Sequence, residues 1–173
     1  SEAIKALNLK GIGFIKESKR CYPNGYLASQ SIGFAGLDNK GQEGLELYYD
    51  EYLKGSPGWA LLLRDARSKK INLYDKMARP EEGHSLVLTI DEVIQYIAER
   101  ELDKAYSNFQ AKGASIIVMN PYTGGILAMA SRPTFDLNQH STIDKEQIRN
   151  RSICDMFEPG SVFKIVTASA ALQ

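Results

Sequence analysis

The 173-residue sequence predicts an α+β fold, and three observations carry that expectation. Glycine-rich turns separate short runs up to about residue 80; apolar residues then recur every three or four positions between 89 and 113; and two apolar runs flank the turn-forming string PYTG. With 43% hydrophobic and 24% charged residues, the chain has the composition of a folded protein and not of a disordered tail.

Taken in order, YPNGYLAS, GFAGLDNKGQEGLE and LKGSPG mark tight turns between short strands, because glycine at that density relaxes the backbone. Among them LELYYDEYL, residues 45–53, places Leu45, Tyr48, Tyr49, Tyr52 and Leu53 at helical spacing and predicts a short amphipathic helix. WALLLRDARSKKINLYD predicts a hairpin that turns at 65–70. The pattern changes at ARPEEGH, residues 78–84, and the chain divides there into two units, 1–82 and 83–173.

SLVLTI at 85–90 alternates Leu86, Leu88 and Ile90 and predicts a strand. A helix follows. Thr89 and Glu92 have capping-box spacing, with Asp91 an equal candidate for the cap, and Val93, Ile94, Ile97, Ala98, Leu102, Ala105, Tyr106 and Phe109 form its stripe as far as Lys112-Gly113. ASIIVMN and GILAMAS then predict a β-hairpin inside a sheet covered on both faces, since both runs are apolar on both sides. Residues 132–156 read as a polar surface loop with one helical turn near 145–150.

Charge and composition exclude several function classes. Lysine plus arginine and aspartate plus glutamate number 21 each, and the basic runs KESKR and RSKK are short, so no nucleic-acid partner is expected. Cys21 and Cys154 lack metal-ligand spacing and read as buried free thiols, with a distant disulfide left open in an oxidising compartment. Two histidines, His84 and His140, do not suggest a metal site, and no cofactor is expected. No run of about eighteen apolar residues occurs, so the chain reads as soluble as it stands.

The chemistry concentrates in FEPGSVFKIVTASAALQ, residues 157–173. Pro159 and Gly160 make a bend, the helix starts at or near Ser161, and its continuation is apolar enough to predict a core helix. On spacing alone, S-x-x-K is a capping serine with a solvated lysine. On a buried helix, however, Lys164 shares a face with Ser161, and burial together with the positive helix end makes its neutral form available as a base. Ser161 then becomes a nucleophile without a histidine, and amides at the helix start can donate to an oxyanion. Acyl transfer uses all of these features. Ser169 has no base at the same spacing and reads as a small packing residue.

RNRSICDMFEPGSVFKIVTASAAL resembles the active-site segment of class B penicillin-binding proteins, the monofunctional peptidoglycan D,D-transpeptidases, and the division and sporulation branch more than the elongation branch. KRCYPNGYLASQSIGFAGLDNKGQEGLELYYDEYLKGSPG is similar to that family's pedestal motifs, R-x-Y-P-x-G and G-x-x-G-x-E. LTIDEVIQYIAERELDKA and GASIIVMNPYTGGILAMASRPTFDLN are similar to the opening helix and hairpin of its transpeptidase domain. The resemblance implies a dimerisation-type pedestal over 1–82 and the first portion of the transpeptidase domain over 83–173. Ser161 is implied as the serine acylated by a D-Ala-D-Ala stem peptide or a β-lactam, Lys164 as its proton acceptor, and Arg20 and Glu46 as a structural ion pair.

The family's S-x-N and K-T-G or K-S-G strings do not occur in these residues, so the chain alone is expected to be inactive, with its catalytic part either partly disordered or paired with another copy. The resemblance also implies an extracytoplasmic location, an N-terminal membrane helix outside this sequence, and cell-wall or cell-division partners including a glycan polymerase. Two other readings are a non-catalytic interaction module of cell-wall synthesis and a β-lactamase or β-lactam sensor, which share S-x-x-K. The long pedestal argues against the latter pair.

Overall fold

A computed structural model describes residues 12, 18–64, 70–139 and 143–173, with 60–64 and 70–77 described through their backbone. Between residues 20 and 55 the chain forms α1 (Ser29–Ile32) where short strands and turns were predicted, and α2 (Gly44–Tyr48) and α3 (Asp50–Leu53) over the span predicted to be helical. Gly33 and Gly44 explain how the first two meet. Both have positive φ, 72° and 60°, and a Cβ on Gly33 would stand 1.8 Å from the Glu43 carbonyl oxygen, so only glycine lets these backbones touch. The predicted 45–53 helix is broken at Tyr49, leaving Leu45, Tyr49 and Leu53 half-buried and Tyr48 and Tyr52 exposed.

The first hairpin pairs β1 (Trp59–Arg64) with β2 (Lys70–Ala78) as predicted, and its turn at 65–69 lies outside the described residues. The strand expected at 85–90 is absent. Those residues find no ladder partner among the described residues; Thr89 Oγ1 instead donates to the Ile126 carbonyl at 2.7 Å and the Asp91 amide to that of Leu127 at 2.9 Å. With Thr89 so engaged, Asp91 is the cap of α4 (Glu92–Asn108), its carboxylate accepting from the amides of Val93 and Ile94.

The face of α4 that packs keeps Ala98 and Leu102 of the predicted stripe but is otherwise polar. Gln95, Ala98, Glu99 and Leu102 are buried, while Val93, Ile97 and Phe109 are exposed. The reason is the second hairpin, β3 (Ala114–Met119) with β4 (Ile126–Arg132), whose outer β4 edge needs hydrogen-bond partners. Gln95 supplies them. Its Oε1 accepts from the Met129 amide at 2.8 Å and its Nε2 donates to the Met129 carbonyl at 2.9 Å, standing in for a neighbouring strand. The hairpin is a two-stranded sheet and is not covered on both sides as expected: Ile117 and Met119 of β3 are exposed.

Residues 132–156 are more than a surface loop. They contain α5 (Lys145–Ile148) and α6 (Arg151–Cys154), and Phe135 and Leu137 are among the most deeply buried side chains, 4% and 1% exposed. These two form one hydrophobic cluster with Tyr22 and Phe34, the Phe34 and Phe135 rings meeting edge to face at 6.0 Å. Asn138 seals it by bonding both the amide and the carbonyl of Tyr22, at 3.1 and 2.8 Å. Described residues on the two sides of the expected boundary therefore share a core. Both cysteines are exposed free thiols, which corrects the buried reading.

Leu137→Ala is expected to cost about 2–5 kcal/mol, the range for a buried leucine truncation. Because the cluster is shared, hydrogen exchange should rise in residues 20–35 as well as in 131–148. Loosening confined to 131–148 would contradict the shared core.

Candidate active site

Pro159 and Gly160 turn the chain as expected, Gly160 with φ 50° and open space around it. Ser161 then lies within a tight 3-10 turn, Gly160–Phe163, and Lys164 is the first residue of α7 (Lys164–Leu172). The Lys164 amide donates to the Ser161 carbonyl, closing that turn one residue tighter than an α-helix would. Thus the helical start was placed correctly, while the α-helix itself begins three residues later.

The expected burial is not found. Every residue from 156 to 173 is exposed, including Val162, Phe163, Ile165 and Val166, and no hydrogen bond joins the side chains of Ser161 and Lys164. An apolar helix is exposed here because no described element packs along its face. The two side chains stay within one turn of each other, but the desolvation on which the base argument rested is not supplied by these residues. Ser169, expected to be a packing residue, is exposed, and its hydroxyl donates to the Ile165 carbonyl of its own helix at 2.8 Å. An apolar groove of about 930 Å³ runs between the α1–α2 region, residues 88–90 and α5–α6, and neither Ser161 nor Lys164 lines it.

The strongest electrostatic organisation lies upstream of the serine, where sequence reasoning did not look. Arg132, 4% exposed, pairs with Asp103 through its Nε and through a 2.9 Å bond from Nη2, and its Nη2 lies 3.4 Å from Glu99 Oε2. Burial disfavours the Arg132 cation, but Asp103 and then Glu99 outweigh it and raise its pKa above the ordinary arginine value. The other Glu99 oxygen accepts from the Ala28 amide and from Gln95 Nε2, each at 2.7 Å. One buried carboxylate therefore joins the N-terminal segment, α4 and the end of β4. The signal available in the sequence was the spacing of Gln95, Ala98, Glu99 and Leu102, which is one helical face, half of it polar.

The predicted Arg20–Glu46 pair is present at 2.7 Å, with Glu46 buried and Arg20 half-exposed. Tyr22 lies beside it, its hydroxyl accepting from the Ala35 amide at 2.8 Å. Burial raises the Tyr22 pKa above the usual phenol value, partly offset by that backbone bond. Among the described residues no cluster of histidine, cysteine or carboxylate side chains could hold a metal ion.

Comparison with known proteins adds a second line of observation. Residues 2–88 match the family described as penicillin-binding protein dimerisation domain, and residues 114–173 match the penicillin binding protein transpeptidase domain. The whole chain is 43% identical to stage V sporulation protein D of Bacillus subtilis, covering 27% of that protein, and 38% identical to peptidoglycan D,D-transpeptidase FtsI of Escherichia coli, covering 29% of it. Among solved structures, penicillin binding protein 2X from Streptococcus thermophilus superposes with a TM-score of 0.73 at 28% identity, over 99% of this chain and 27% of that one. Penicillin binding protein 3 of the tubercle mycobacterium gives 0.70 at 33% identity, over 89% and 31%. The chain spans less than a third of the length of the curated relatives it matches.

Proposed function

The chain belongs to the penicillin-binding proteins, and from that premise we propose that it is the pedestal and the opening part of the catalytic domain of a peptidoglycan D,D-transpeptidase. The observation that carries this reading is collinearity: similarity to named D,D-transpeptidases runs the full length of the chain, through Ser161 and Lys164. The division is placed at 82–83, with the shared core acting as the joint between the two parts.

In this reading the Ser161 hydroxyl attacks the carbonyl carbon of the D-Ala-D-Ala bond or of a β-lactam ring. Its proton passes to the Lys164 amine, the tetrahedral oxyanion is held by backbone amides, and collapse expels the terminal D-Ala amine or opens the ring. A second stem peptide's amine then takes the acyl group from the serine. The exposed apolar residues of α7, Ile165 and Val166 among them, mark the surface against which the rest of the domain would pack. The whole protein acts on the cell wall outside the cytoplasmic membrane, held by a membrane helix beyond these residues and partnered by a glycan polymerase. Among the described residues no helix is long and apolar enough to cross a membrane.

The test is labelling by a fluorescent penicillin. The whole protein should be labelled stoichiometrically, and the isolated 173-residue chain little or not at all, because α7 is exposed and no S-x-N or K-T-G string is present to complete the site. Stoichiometric, Ser161-dependent labelling of the isolated chain would contradict this.

A further inference from the structure

One pedestal side chain reaches several points of the segment that leads to Ser161. Gln30 of α1 is 8% exposed, and its Nε2 donates to the Pro133 carbonyl at 2.9 Å and the Gln147 carbonyl at 3.0 Å, with the Ser131 carbonyl at 3.5 Å. Those acceptors are the end of β4, the first residue after its arginine, and α5. They are the three points that fix how the chain leaves the sheet. Gln147 repeats the device from the other side, its Nε2 donating to the Thr134 carbonyl at 2.9 Å while its Oε1 accepts from the Asp144 amide. Ser29, next to Gln30, adds a 2.8 Å hydroxyl bond to Thr134.

Beyond α5 the anchoring continues. Asn150 Oδ1 accepts from Ser131 Oγ at 3.3 Å and from the Ser152 amide at 3.2 Å, and Asp155 is held by Arg149 at 2.7 Å and Arg151 at 3.0 Å. Only five residues, Met156 to Gly160, separate this framework from Ser161. We propose that Gln30 is a positioning residue for Ser161: by gathering the carbonyls of Pro133 and Gln147, the pedestal sets where the lead-in segment delivers the nucleophile. The proposal rests on the transpeptidase reading above, and it assigns the pedestal a part in the chemistry of a residue 131 positions away.

The argument depends on donors and not on volume, and that separates it from simple packing. Gln30→Glu keeps the side chain's shape but turns carboxylate oxygens toward carbonyl oxygens, whereas Gln30→Ala removes the bonds and leaves space. In the whole protein, the maximal acylation rate and the non-covalent dissociation constant for a fluorescent penicillin are measured separately. Both variants should lower the maximal rate by about tenfold or more, as misplacement of a reacting group by a fraction of an ångström to an ångström does, with Gln30→Glu at least as slow as Gln30→Ala. The dissociation constant should change by less than about threefold, since reactant placement and not substrate contact is affected.

Should either variant fail to fold by circular dichroism, Gln30→Asn keeps the amide but is one carbon short of spanning both carbonyls, and it should show the same selective loss of rate. Wild-type rates in Gln30→Glu, or losses that only track the unfolded fraction, would overturn the positioning role. Ser161→Ala is run beside them. Labelling that survives in it overturns the nucleophile assignment and the positioning role together, while labelling lost there but unaffected by the Gln30 variants overturns the positioning role alone.

Discussion

Ser161→Ala in the whole protein is expected to abolish acylation by penicillin, because it removes the hydroxyl that stands one turn ahead of Lys164 at the start of the helical segment. Ser169, the control on the same helix, spends its hydroxyl on the Ile165 carbonyl and should not substitute. Lys164→Ala leaves the nucleophile but removes its proton acceptor, and general-base loss of this kind slows a reaction by about 10²–10⁴-fold. The two variants should therefore differ in kind, none against slow. Stopped-time labelling on a gel reads both. Equal residual rates in the two variants would remove Lys164 from the proton path.

The second large effect is on stability and is centred on Arg132. Arg132→Ala leaves Glu99 buried with its Ala28 and Gln95 donors but without a cation, and breaking a buried pair from one side costs about 3–5 kcal/mol. Glu99→Gln should cost less, since a carboxamide oxygen can still accept from the Ala28 amide. Asp103 is mostly exposed, so Asp103→Ala should be the mildest of the three. Urea unfolding of the 173-residue chain measures the order. A loss below about 1 kcal/mol for Arg132→Ala would mean that the cluster is not the joint described here.

What was legible in the sequence was local. PYTG between two apolar runs gives the second hairpin because Asn120 and Gly124 close the turn within five residues, the Asn120 carbonyl accepting from the Gly124 amide at 2.9 Å. Arg20 and Glu46 were named through motif positions, and they do meet. What was not legible depends on partners far away in the chain. Gln95 is polar on a buried helical face because a strand edge 34 residues later needs an amide, and nothing near Gln95 says so. Phe135 and Leu137 looked like loop residues because their companions, Tyr22 and Phe34, are over a hundred residues earlier.

The site itself was half legible. The bend at Pro159-Gly160 and the start of helical structure at Ser161 follow from local backbone chemistry. Burial of α7 does not, because apolar composition states what a helix requires and not what is present to cover it. Ile165 and Val166 satisfy the pattern of a core helix and are nonetheless 69% and 56% exposed among the described residues. Polar composition is equally silent about burial at Glu99 and Gln30. Both are polar groups buried because backbone amides or carbonyls in another segment lack partners of their own.

The central claim, that this chain carries the nucleophile of an acyl-transferring enzyme, is tested most directly by mass spectrometry of the whole protein after brief exposure to penicillin. Digestion and peptide mapping should find the mass of one opened β-lactam on the peptide containing Ser161 and on no other. An adduct on a different residue, or an unmodified Ser161 peptide in a folded protein at saturating penicillin, would contradict it.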